Sequence, residues 1–289
     1  MSSPAIDLSK LPEPNVIEDL DYEALLEAAI ARLGPDYVVS EADPAYKVLE
    51  SAAYRELLLR QRVNDGARSV LLATAHGRDL DNLAALLGVE RQVVTPADPD
   101  AIPPVEAVYE SDERLRLRTQ LAPSAISTAG PVSSYRYHAL SAGSQVLDVA
   151  VSSPAPGSVT VTVLSREGNG LADADLLAAV KAALNDDSVR PLGDVLAVQS
   201  AAIVDYRVTA VLTIGAGPDS DAVLAAATAA VTDYAASARK IGRNVPRSAL
   251  FAALHVAGVE AVDLTAPAAD VAITAVQAAH ATQIQVSAA

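Results

Sequence analysis

The sequence contains no cysteine, which excludes a disulfide framework and thiolate chemistry. Tryptophan is also absent, phenylalanine occurs once, and aromatic residues make up 3% of the chain. That removes the stacking platforms on which proteins hold single-stranded nucleic acid. Basic residues are in deficit, 21 Lys and Arg against 36 Asp and Glu, for a formal net charge of -15. Phosphate binding needs a local excess of cations to release counterions, so direct contact with nucleic acid is not expected. Long apolar runs are missing as well. Stretches such as Val70 to Ala73 fall far short of the roughly 18 to 20 residues that cross a bilayer. Residues 1–20 carry three prolines and four acidic residues in place of a basic start followed by an apolar stretch, so no signal peptide is expected. The expectation is a chain made and assembled in the cytoplasm, with no membrane contact of its own.

What is present is 51% hydrophobic content in 289 residues, much of it alanine, enough for one large or several small cores. Pro4, Pro12 and Pro14 make residues 1–20 an extended arm. Leu26, Ala29, Ile30 and Leu33 then recur at helical spacing from about Asp21 until Gly34-Pro35. A longer helix is expected from about Pro44 to Thr74. Its apolar positions, Leu49, Ala53 and Leu57, then Val63, Ala67 and Val70, change phase around Arg60 and Arg62. That shift points to a helix touching different partners along its length. A third helix is expected near Asp79 as N-cap, with Leu80, Leu83, Ala84 and Leu87 on one face and Gly88 at its end.

Residues 95–104 are dense in Pro and Asp and mark a composition boundary. Beyond it, Arg114, Arg116 and Arg118 alternate with leucines as in a strand, yet Ser111-Asp112-Glu113 starts a helix, and helix is the reading adopted. Pro131 to Ala142 reads as another. The remainder reads as two related units. Strands at Val146–Val151, Val159–Leu164 and Val195–Gln199 enclose a helix at Asp173–Leu184. A strand at Val204–Ile214 is followed by helices at Asp219–Ala238 and Pro246–Val256, then a strand at Val259–Leu264. Alternation within these strands predicts sheets packed on one face. Val271, Ile273, Ile284 and Val286 suggest short edge strands. The expected class is α+β: a helical N-terminal half followed by two small α/β-sandwich-like units with mainly antiparallel sheets. The expected segments are an arm at 1–20, a helical assembly region at 21–92, a linker and helical connector at 93–143, and small α+β domains at 144–200 and 201–289.

Chemistry has little to stand on. Gly215-Ala216-Gly217 lies between a strand and a helix as a dinucleotide-binding turn does, which makes a nucleotide-binding enzyme the alternative reading. Ser220 replaces the third glycine, and the strand before it is half polar where a central parallel strand is apolar. The plainer reading is a flexible turn ahead of a helix N-terminus that Asp219 caps. His76, His138, His255 and His280 lack the close spacing that puts two ligands on one metal. The pairs Asp79/Asp81, Asp98/Asp100 and Asp186/Asp187 lack the glycine and closing glutamate of a calcium loop. No catalytic residue, cofactor or metal is expected.

Several stretches together resemble a known family. They are Leu57-Leu58-Leu59-Arg60-Gln61-Arg62-Val63-Asn64, the run from Leu71 through His76-Gly77-Arg78-Asp79-Leu80-Asp81-Asn82-Leu83-Ala84, and Gly88-Val89-Glu90-Arg91. Ala122-Pro123, Ser127-Thr128-Ala129-Gly130-Pro131, Tyr135, Gly157 to Leu164 and Val189-Arg190-Pro191-Leu192-Gly193-Asp194 follow in order. Ile241-Gly242, Pro246-Arg247-Ser248-Ala249 and Leu254 to Val259 close the series. In that order they resemble the baseplate J family of contractile-tail wedge proteins, with His76 as one departure. The resemblance implies a structural wedge component in the virion baseplate of a phage, or of a tailocin or related injection particle. Implied partners are a smaller I-like wedge protein, a W-like sheath-proximal protein, central hub proteins and a second copy of the chain. The candidate interface residues are Leu57, Arg60, Arg62, Val63, Leu71, Leu80 and Leu83.

Overall fold

In a computed structural model, residues 6–34, 36–127, 130–215 and 219–289 are described. They divide into a helical unit, residues 4–91 with 111–120, and a sheet unit comprising 92–110 and 121–289.

In the helical unit, α1 (Tyr22–Ala31) starts where the Asp21 carboxylate accepts the Glu23 N–H at 2.9 Å, and it buries Leu26. It packs along α2 (Pro44–Ser69), which opens with Pro44 in the first turn. The sequence pattern extends α2 to Thr74, but the helix ends at Ser69. The Thr74 hydroxyl donates to the Arg68 carbonyl at 2.7 Å, and Arg116 takes the Leu72 and Ala75 carbonyls at 2.7 Å each. Carbonyls satisfied from outside the helix no longer hold its last turn. α3 (Gly77–Ala85) begins ahead of Asp79, with His76 at the N-cap position, and its first N–H is capped from a distant part of the chain by Asp112. Ala75, Leu80, Ala84, Val89 and Leu115 are buried.

The alternating arginines are helical: α4 (Asp112–Ala125) carries them, and its residues up to 120 belong to the helical unit. Arg114 and Arg118, one turn apart, are both buried, and Arg118 donates to the Glu90 carbonyl at 3.1 Å. Alternation over so short a stretch does not separate strand from helix, and the Ser111-Asp112-Glu113 start was the better signal.

The sheet unit begins with a short antiparallel pair, β1 (Val93–Thr95) and β2 (Val108–Tyr109). After α5 (Val132–Ser141), β3 (Val146–Ala155), β4 (Ser158–Ser165), α6 (Ala174–Leu184) and β5 (Val195–Ser200) build a sheet of order β3-β4-β5. The β3–β4 hairpin is antiparallel, turning at Gly157 with φ 72, and β4–β5 is parallel through α6. The second sheet has order β7-β6-β8, formed by β6 (Ala202–Ile214), β7 (Val259–Ala266) and β8 (Gln277–Ala288). Between β6 and β7 lie α7 (Ser220–Ala238) and α8 (Arg247–Leu254).

The α+β class stands, with each three-stranded sheet holding one antiparallel and one parallel pair. The helical crossover joins parallel strands in the first sheet and antiparallel strands in the second. The two units therefore share element order without sharing topology, and the expected duplication does not describe them. The tail forms one long strand in place of short pieces: β8 pairs in parallel with β6 from Ala202↔Gln277 to Leu212↔Ala288. Val208, Leu212, Val223, Val231, Leu250 and Leu254 form the interior of the second sheet and its helices.

Candidate assembly surface

The helical unit sorts the side chains of α2 onto two faces. Ala53 and Asn64 are buried, and Leu57, half-buried, lies at helical spacing between them. Asn64 acts as a backbone mimic toward the arm: its Nδ2 donates to the Glu18 carbonyl at 2.8 Å and its Oδ1 accepts the Glu18 N–H at 3.1 Å. Arg60 bridges Glu18 and Glu56 at 2.7 Å each, and Arg68 reaches Glu13 at 3.3 Å. Glu13 and Glu18 thus tie the described part of the arm to α2 of its own unit. The arm is not extended throughout, since Leu8–Lys10 form a 3-10 turn ahead of Pro12 and Pro14.

On the other side of α2 an apolar row is open, flanked by the exposed Ser51 and Arg55. Val48, Leu59, Val63 and Val70 recur at helical spacing and remain 68%, 64%, 58% and 66% exposed. Arg62 is exposed on the same side. Scattered single apolar residues on a surface are ordinary, but a stripe running the length of a long helix is the form that packs against another helix.

Of the residues read as interface from the sequence, Val63 and Arg62 lie on this open face. Leu57 and Arg60 face inward, Leu57 beside Ala53 and Arg60 in the arm's ion pairs. Leu71, half-buried, lines a hollow of about 440 Å³ with Leu8, Leu11 and Leu72. Leu83 is half-buried on α3, and Leu80 is fully buried, so it is a core residue, with no surface left for a partner. Val48 and Leu59, exposed on the same side, were not among the residues read from the sequence. The 3.6-residue period carried them, because the apparent phase change at Arg60 is a passage from the inner stripe to the outer one.

The end of the unit is held by a polar knot. Asp112 accepts from the Gly77 N–H at 3.1 Å and from Arg91 at 2.7 Å, and His76 Nδ1 lies 3.3 Å away. Arg91 also binds Asp81 at 2.7 Å. Burial alone pushes the Asp112 carboxyl up, but the hydrogen bonds from Gly77, Arg91 and His76 outweigh it and hold the group below the ordinary carboxylate range. His76, Gly77, Asp81 and Arg91 belong to the stretches between Leu71 and Arg91 quoted above, Asp112 does not, and their work here is capping and cross-bracing.

Gly215 packs against an acidic side chain. A Cβ at this position would lie 2.8 Å from the Glu260 carboxylate, so a negative charge stands at the turn. Ala216 and Gly217 lie outside the described residues.

Three family models match the chain in succession: the baseplate J-like N-terminal domain over residues 41–98, the central domain over 127–200 and the C-terminal domain over 206–287. The chain belongs to the baseplate J-like family. It is 46% identical over 294 residues to the baseplate protein J of Escherichia phage P2, covering 98% of this chain and 97% of that protein. The N-terminal model of the family spans the whole of α2 and α3, so the open stripe lies in a family domain and not in an added segment.

Proposed function

We propose that the chain is a structural wedge subunit of a phage-type baseplate and that the open face of α2 is a surface through which it joins its neighbours. The observation that carries the reading is the stripe Val48, Leu59, Val63 and Val70, exposed on a helix whose opposite face is already satisfied by α1 and the arm. Family membership supports the setting, since the relative from phage P2 is named for the baseplate. In this reading the chain carries no catalytic centre and is assembled in the host cytoplasm. Its partners are other wedge proteins, a smaller I-like chain and a W-like sheath-proximal chain, together with central hub proteins and a second copy. The helical region 21–92 makes the main wedge contacts, and the domains at 144–200 and 201–289 extend the contact surface. A ring of such wedges turns individually modest contacts into a stable assembly once it closes.

The test is co-expression with the neighbouring tail genes. Wild-type chain should co-purify in a stable complex. A Leu59→Asp, Val63→Asp double variant should remain folded and soluble but drop out of it. Because the chain is acidic, raised salt should slow assembly more than it loosens a finished complex held by apolar contacts. Normal particles assembled from the double variant would remove the open face of α2 from the reading. A specific enzymatic activity that depends on Gly215, without co-purification at any salt, would remove the reading altogether.

A further inference from the structure

The second sheet is one strand short of the helices that cover it. β8 is an edge strand, and among the described residues its outer side is met only by the single bridge from Ile241 to Ala278. The ladder to β6 runs without a register shift from Arg207↔Gln283 to Leu212↔Ala288, and the Ala289 N–H continues it to the Leu212 carbonyl at 2.9 Å. In a parallel ladder alternate residues turn both backbone groups to the same neighbour. Residues 283, 285 and 287 therefore bond to β6, and Ile284, Val286 and Ala288 present their N–H and C=O groups to the open side.

Exposed edges are normally protected by charge, proline or a covering segment. From residue 271 to the end this chain has no Asp, Glu, Lys, Arg or Pro. Beside the unprotected edge, a groove of about 700 Å³ runs along α7, lined by Leu224, Ala225, Thr228 and Ala229, with Val286 of β8 on its other side and Asp221 and Asp233 toward its ends. The buried side of α7 uses a different set of residues, Val223, Ala227 and Val231. Apart from Leu224, the α7 residues lining the groove between its two aspartates are small, and all are half-exposed to exposed, as they would be over a strand position that the described residues leave empty.

We propose that this edge receives an extended strand from a different protein, paired to β8 through Ile284, Val286 and Ala288, with apolar side chains under α7 and a basic residue at each end. Charge complementarity selects that occupant. The charged residues lining the groove are Asp221 and Asp233, with no Lys or Arg among them. Asp221 and Asp233 are twelve residues apart on the helix, about 18 Å along its axis. An extended strand covers that distance in about six residues, close to the length of the open ladder. A second copy of β8 fits poorly, because its own α7 would bring a matching pair of aspartates. Strand addition supplies affinity through main-chain bonds, and side-chain pockets supply specificity.

The experiment uses the full chain and end-blocked peptides KTVTVTK and ETVTVTE, which place valines and terminal charges on one face. Titration calorimetry should show saturable binding of the lysine peptide, at least about tenfold tighter than the glutamate peptide. Val286→Pro removes an outward N–H while sparing the β6 ladder. It should abolish binding and leave cooperative unfolding in place. Should that variant unfold the sheet, an Asp221→Lys, Asp233→Lys double variant decides the matter by reversing the preference to ETVTVTE. Equal binding of the two peptides, or saturable binding of neither, would overturn the proposal. So would concentration-dependent dimerisation of the chain that Val286→Pro abolishes, which would make the occupant a second copy. None of these outcomes involves α2, so they are separate from the fate of the wedge reading.

Discussion

The two units of this protein are stabilised by different means. In the sheet unit the interior beneath α7 and α8 is almost wholly aliphatic, built from Val208, Leu212, Val223, Val231, Leu250, Leu254 and their neighbours. The helical unit buries fewer large apolar side chains and relies on polar groups that reach across it: Asn64 to the arm, Arg116 and Arg118 to loop carbonyls, Asp112 to the start of α3. Apolar packing is non-directional, whereas a hydrogen bond constrains both the distance and the angle between the groups it joins. The unit that leaves an apolar helix face open is the one whose shape is set by directed bonds. A helical surface with few interior contacts can still be presented in one geometry to a partner.

The contrast can be broken most sharply from the sheet side. Leu212→Ala, at a fully buried position in the central strand β6, should cost about 2–5 kcal/mol and lower the denaturant midpoint of the sheet unit. Hydrogen exchange should show the protection lost chiefly in β6 to β8 and the helices above them. A smaller effect is expected in the helical unit from Arg116→Ala. The substitution leaves the Leu72 and Ala75 carbonyls without that donor, at about 1–3 kcal/mol, and exchange should accelerate around residues 70–77 while the sheet unit is unchanged. Equal loosening of both units would erase the distinction.

The knot at Asp112 predicts a pH signature confined to one unit. Its folded pKa is depressed below the ordinary carboxylate range, so its stabilising contribution is present above the unfolded pKa and is lost as pH falls through the folded one. Acid should therefore release the start of α3, and Asp112→Asn should be less stable at neutral pH with a weaker dependence on acid. Exchange at Gly77 followed from neutral to strongly acidic pH reads this directly. An unchanged acid profile in the variant would assign the transition to other carboxylates. The smallest change is expected on the open face of α2, where Leu59→Asp with Val63→Asp should alter chain stability by no more than about 0.5 kcal/mol per site. A large loss of stability there would mean that the face is packed within the chain itself.

Much of this organisation was legible in the sequence. Asp21, Asp173 and Asp219 announced the helices they cap, and the alternation from Val204 to Ile214 announced β6, because capping and side-chain period are local properties. The helical half, the α+β class and the family resemblance were available at the same level. The early end of α2 was not, since the donors that take its following carbonyls sit on Arg116, more than forty residues away. The candidate surface was half legible. Val63 and Arg62 are exposed on α2, but Leu57, Arg60 and Leu80 look the same as their outward neighbours until α1, the arm and the core show which side of each helix they occupy.

Sequence by itself therefore determined the elements, their order and the apolar period of each, which depend on neighbours within a few residues. Tertiary structure alone decided which apolar stripe is core and which is open, that Asp112 caps a helix thirty-five residues before it, and that a parallel β8 closes the second sheet while leaving its own edge free. These depend on contacts between distant residues. A periodic pattern specifies that a face is apolar, and only the packed chain specifies what covers it.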